Sequence, residues 1–183
     1  MRTLLILAFS MVLFGSKNSF AQCVNTPNPT YGVYEMCFAR YCPCSGGADE
    51  YFISYGRRYC EAFLGSANFS PDSQIWRDKA LNCLQEKIVP KLDISGSSTC
   101  SCSTMKTFAF RTHVDCYTQT GASICDLGIG DVTAIGWIID ASDLLTIDSL
   151  HQSTAVADIC KTTAPDDGRR TLWRGFSAAL SIF

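Results

Sequence analysis

CSTMKTFAFRTHVDCY, residues 102–117, is the stretch whose reading decides the fold. Met105, Phe108, Ala109 and Cys116 recur at helical spacing and make the apolar stripe of an amphipathic helix. Ser103 stands at its start as a candidate cap. Cys102 and Cys116 are fourteen residues apart, close to four turns at about 3.6 residues per turn, so both sulfurs face roughly one side. A helix built this way can be tied to two other elements. His113 and Asp115 fall on what reads as its wet side.

Working outward, the preceding segment carries the clearest helix signals. Ser70 is a candidate N-cap, Pro71 occupies the first helical position and Asp72 suits the positive end of the dipole. Ile75, Trp76, Ala80, Cys83, Leu84 and Ile88 then share a face, and Pro90 ends it. A helix over residues 49–64 comes before it, with Tyr51, Phe52, Tyr55, Tyr59, Ala62 and Phe63 at three- and four-residue steps and Gly65 as the stop. Two more are expected downstream. Residues 131–140 carry Val132, Ile135, Ile138 and Ile139; residues 147–160 carry Leu150, Thr154, Ala157 and Ile159. Their β-branched content leaves a strand open for IGWIID. Residues 22–47 are rich in Pro and Gly and read as irregular. Residues 161–183 contain APDDGRR and read as a flexible tail. The expectation is an all-α, disulfide-stapled domain of about five helices over residues 22–160, with an irregular N-terminal segment.

The N-terminus sets the compartment. Arg2 precedes a short apolar run, and Ser19 and Ala21 place small residues at −3 and −1 of a cut before Gln22, the layout of a signal peptide over residues 1–21. The run is too short for a hydrocarbon core of about 30 Å, and no later stretch is long and apolar enough for a membrane span. Without Arg2 and Lys17, 13 of the 15 basic residues remain against 17 acidic, a net charge of −4. The basic residues are scattered, so no nucleic acid partner is expected. All 11 cysteines follow the cut, a density that reads as a disulfide framework in an oxidising compartment. The odd count leaves one thiol free or bonded to another chain.

No catalytic or metal site emerges. Two histidines are too few for a three-histidine metal site, and the secretory context sets aside a reduced cysteine array, so no cofactor is expected. THVDC at residues 112–116 is near the His-Asp pair of secreted phospholipases, but Val114 separates His113 from Asp115 and no glycine-rich calcium loop precedes them. DLGIGD at residues 126–131 lacks the alternating oxygen ligands of an EF-hand. Asn68-Phe69-Ser70 is a glycosylation sequon, with Pro71 directly behind it. Arg169-Arg170 reads as two solvated basic residues rather than a processing site.

The cysteine ladder resembles that of the stanniocalcins. YCEAFLGSANFSPDSQIWRDKALNCLQ from Tyr59 looks like the family's Cys-x-x-F-L segment and following helix, and CSTMKTFAFRTHVDCY like its Cys-Ser-Thr…Cys-Tyr helix. The steps Cys37 to Cys42, Cys102 to Cys116 and Cys125 to Cys160 match as well. The resemblance implies the pairs Cys23–Cys42, Cys37–Cys60, Cys44–Cys102, Cys83–Cys116 and Cys125–Cys160. Cys100 is then left as a free or intermolecular thiol, able to link a dimer or a partner. It also implies a secreted glycoprotein hormone, not an enzyme, affecting calcium and phosphate handling. Its partner would be an extracellular receptor or a pappalysin-type metalloprotease that it inhibits. The chain departs from the family in having no cysteine beyond Cys160, where stanniocalcins usually carry the one that joins two copies. The rival expectation is a secreted helical lipid-binding or toxin-like module, with a phospholipase-type enzyme behind it.

Overall fold

Ser70 and Pro71 start the longest helix where the sequence places it. In the computed structural model the Ser70 hydroxyl accepts a bond from the Ser73 amide at the head of α3, Pro71–Ile88. The structure describes residues 23, 28–44, 46–94 and 100–182; the signal-peptide reading lies outside them. The described residues form helices joined by turns, without a strand: α1 Ala39–Tyr41, α2 Arg58–Gly65, α3, α4 Cys102–Tyr117, α5 Ile129–Ile138, α6 Ala141–Leu144, α7 Ile147–Thr163 and α8 Asp167–Leu180. The fold is all-α and disulfide-rich, as expected.

The core forms where α3 packs on α4, α4 on α7 and α7 on α8. Trp76 is buried from α3 and its indole N–H donates to the Tyr117 carbonyl at 3.1 Å, joining α3 to the end of α4. Ile75, read as part of the same inward face, points to solvent instead. An aromatic layer of Tyr34, Phe38, Phe52, Tyr51, Tyr55 and Phe110 fills the space beside α4, its ring centroids 5.1 to 5.8 Å apart. Gly56 makes this layer possible. A Cβ there would sit 2.5 Å from Cε1 of Tyr34, so only glycine lets the ring approach the backbone.

Several expectations need correction. The N-terminal segment is not wholly irregular: Tyr34–Phe38 is a π-helical turn leading into α1. The helix expected over 49–64 begins as a second π-turn, Phe52–Arg57, where Glu50 accepts from the Ile53 and Ser54 amides at 2.8 and 2.7 Å. The helix expected over 131–140 does form, as Ile129–Ile138, and the strand left open for IGWIID does not. Asp131, in the first turn of α5, accepts from the Ser70 and Ser73 hydroxyls, both at 2.9 Å. That contact holds α5 against the head of α3 and overrides the β-branched preference. Residues 161–163 complete α7, and residues 167–180 form α8 rather than a flexible tail. Asp166 caps α8 through the Arg169 amide, Trp173 is buried, and Asp158 of α7 accepts from Ser177 of α8 at 2.8 Å. The charges of APDDGRR serve the turn: Arg170 donates to the Ala164 carbonyl at 3.0 Å.

The bridges are Cys23–Cys37, Cys42–Cys100, Cys44–Cys102, Cys83–Cys116 and Cys125–Cys160, with Cα separations from 4.8 to 5.6 Å, inside the range a disulfide requires. The last three coincide with pairs implied by the resemblance. Cys23–Cys42 and Cys37–Cys60 do not form, and Cys100 is not free. Cys42 lies beside the head of α4, within reach of Cys100, and Cys23 takes Cys37 instead. Cys60 is the unpaired cysteine. It faces inward from α2, where the Gln85 amide reaches its sulfur at 3.6 Å.

Candidate functional site

Two places are candidates for a site: the polar interior around His113 and the outer face of α5. His113 is buried, contrary to its wet-side reading. Its Nδ1 lies 2.7 Å from the Ala109 carbonyl, which can only accept, so Nδ1 carries the proton. Nε2 is then an acceptor, and the Tyr51 hydroxyl donates to it at 3.4 Å. Burial drives the imidazole pKa down to about 4. Nearby, burial pushes the Cys60 thiol up to about 12 and raises Tyr34, Tyr51 and Tyr117 well above the usual phenol range. The cavity among these groups is about 30 Å³, room for one or two waters. Every group here is held in its neutral form, and both histidine nitrogens are engaged. The arrangement suits a satisfied polar core.

The outer face of α5 is different in kind. Val132 and Ile135 go inward, whereas Ile129, Gly130, Thr133, Gly136 and Trp137 share the exposed side. Trp137 is 84% exposed and Ile129 58%; beyond α6, Ile147 is 73% exposed and Leu145 57%. Large apolar side chains exposed on one short run of chain are uncommon on a lone soluble surface, and an exposed Trp is the strongest anchor type at protein interfaces. The α5–α6 segment is held firmly behind this face. The Tyr59 hydroxyl donates to Asp143, the Asp140 amide donates to the Tyr59 oxygen at 3.2 Å, and Arg58 reaches both Asp140 and Asp143. From Thr112 to Cys160 the chain has Asp at 115, 126, 131, 140, 143, 148 and 158 and no Lys or Arg. Most of these carboxylates are paired: Asp115 with Lys87, Asp140 and Asp143 with Arg58, Asp148 with Lys106 and Asp158 with Lys161.

The residues singled out from the sequence are dispersed. Asn68 is exposed in the turn between α2 and α3, but the Ser70 hydroxyl of its sequon is engaged by Ser73 and Asp131. Asp115 is exposed and pairs with Lys87 at 3.2 Å, away from any bond to His113. Arg169 and Arg170 lie in the first turn of α8, each paired with an Asp three residues earlier. Trp137 was not among the residues the sequence reading picked out. The signal was present: it lies five residues beyond Val132, about 140° round the helix from the inward stripe.

Among the described residues no helix is long and apolar enough to cross a membrane. No family model, curated protein or solved structure matches the chain.

Proposed function

We propose that this chain is a secreted, stanniocalcin-like regulatory protein that works by presenting the α5 face to an extracellular protein. The observation that carries the reading is Trp137, exposed near the end of α5 on the same side as Ile129, on a segment tied to the body of the fold by the Asp131–Ser70 and Tyr59–Asp143 bonds. A preformed surface loses little entropy on binding, which favours affinity. The exposed indole selects a partner with an apolar socket. Five bridges support an oxidising, extracellular setting. The stanniocalcin resemblance adds the partner class, a receptor in calcium and phosphate handling or a pappalysin-type metalloprotease. A covalent link through Cys100 forms no part of this reading, because Cys100 is bonded to Cys42.

Capture from conditioned medium tests it. Wild-type protein and Trp137→Ser, whose side chain is outside the core, are immobilised and the retained proteins quantified. Loss of an exposed Trp anchor is expected to weaken binding of the specific partner by about 2 kcal/mol or more, roughly thirty-fold. Equal retention by both chains would refute the assigned face. Titration into a pappalysin-type protease assay tests the inherited target, where unchanged proteolysis would exclude it.

A further inference from the structure

Gly130 and Gly136 sit inside α5 without a reason in the fold itself. Neither takes a positive φ, and a Cβ added at either would meet nothing within 4 Å. Glycine is less favourable than alanine in a helix interior, so the bare backbone here serves something other than the packing of this chain on itself. Both glycines lie on the exposed side with Ile129, Thr133 and Trp137. At about 100° per residue this side spans about 120° of the helix, with Thr133 at its middle both along the axis and around it. We propose that α5 is a self-association surface on which two copies of this chain pack as antiparallel helices, about a two-fold axis beside Thr133.

The pattern fits its own image. Trp137 and Gly130 lie to one side of Thr133 around the helix, Ile129 and Gly136 to the other. A two-fold axis between antiparallel helices keeps those sides and reverses the direction along the axis. Trp137 of each copy therefore comes over Gly130 of the other, Ile129 over Gly136, and the two threonines meet. Each large apolar side chain finds bare backbone, and the glycines let the helices approach closely. No charge obstructs the contact. Asp131 is turned to the serines at the head of α3, and the exposed side carries no ionisable residue. An isologous contact of this kind closes at two copies and does not run on into a fibre.

The helix has ten residues, about 15 Å at about 1.5 Å each. Its contact is smaller than the roughly 1,200 Å² at which stable complexes begin, so the dimer is reversible. Dilution separates the copies and bares Trp137; concentration covers it. That control over partner binding rests on the function proposed above, whereas the dimer itself does not.

Sedimentation equilibrium of the chain purified without reductant tests it, from about 1 μM to about 1 mM, a range that brackets a small interface. The mass is expected to rise from one copy to two. Gly130→Gln/Gly136→Gln fills both notches. It should raise the thermal midpoint, because glutamine is the better helix former, and abolish the dimer. Trp137→Ser should weaken the dimer about ten-fold or more. Thr133→Cys, on the two-fold axis, should oxidise to a covalent dimer, whereas Thr120→Cys, exposed elsewhere, should not. A single copy throughout the range, a dimer undiminished in the glycine variant, or a Thr133→Cys chain that links no better than Thr120→Cys would overturn the proposal. A single-copy result leaves a partner captured through Trp137 untouched, so the two readings fail separately.

Discussion

At the scale of single residues, His113 shows how burial decides chemistry. It stands next but one to a carboxylate on a helix, an arrangement that invites a catalytic reading, yet its ring is enclosed by Tyr51, Phe110 and Tyr117. The consequence is a pH dependence of stability. Between the unfolded value near 6.5 and the folded value of about 4, the unfolded chain binds a proton that the native chain refuses. Stability from this group is therefore complete above about pH 6.5 and falls as the pH drops towards 4. The full difference is worth about 3 kcal/mol. Urea unfolding at pH 7 and pH 4.5 should show His113→Gln losing less stability on acidification than the parent; parallel losses would remove His113 as the cause. The helical period alone did not reveal its burial. The α4 stripe drawn as Met105, Phe108, Ala109 and Cys116 differs from the buried face, which leaves Phe108 half-buried and extends to Phe110, Thr112 and His113, because the π-turn Phe52–Arg57 and α7 cover α4 from further sides.

At the scale of elements, capping chemistry was the most legible signal. Ser70, Pro71 and Asp72 placed the start of α3 correctly, because the signal is local and self-contained. α8 was misread because a charged turn was taken for the whole segment. Leu172, Trp173, Phe176 and Leu180 recur at steps of one, three and four residues, which is helical patterning. Trp173 is buried, and Leu172 and Leu180 pack at the edge of the core. Trp173→Ala is accordingly expected to cost about 3–5 kcal/mol, the usual range for truncating a buried aromatic, by denaturant unfolding. A change within about 0.5 kcal/mol, typical of exposed positions, would return residues 161–183 to a loose tail. The π-turns left no comparable mark in the sequence. They depend on the Tyr34 ring seated against Gly56, a contact across twenty-two positions that no local pattern encodes.

At the scale of the whole molecule, helices and bridges divide the work. The Cys125–Cys160 bond spans 35 residues and ties α7 to the turn before α5; closing such a loop contributes about 4 kcal/mol in the chain-entropy model. Cys83–Cys116 fastens α3 to α4, and the paired bonds at Cys42 and Cys44 fasten the head of α4 to the N-terminal segment. The all-α class, the odd thiol and the stapling of α4 at both ends were legible from spacing. The N-terminal connectivity was not, because Cys23, Cys37, Cys42 and Cys44 are close enough in sequence for several pairings, and tertiary packing chooses among them. The α5 face is the outward result: a stapled scaffold holds Trp137 in solvent.

Thiol counting with linkage mapping tests the central claim, five intrachain bridges around a buried Cys60. Iodoacetamide should label no cysteine in the native, unreduced chain and only Cys60 after unfolding without reductant, with peptides joined 23–37, 42–100, 44–102, 83–116 and 125–160. Labelling at Cys100 in the native chain, or a Cys37–Cys60 linkage, would contradict it.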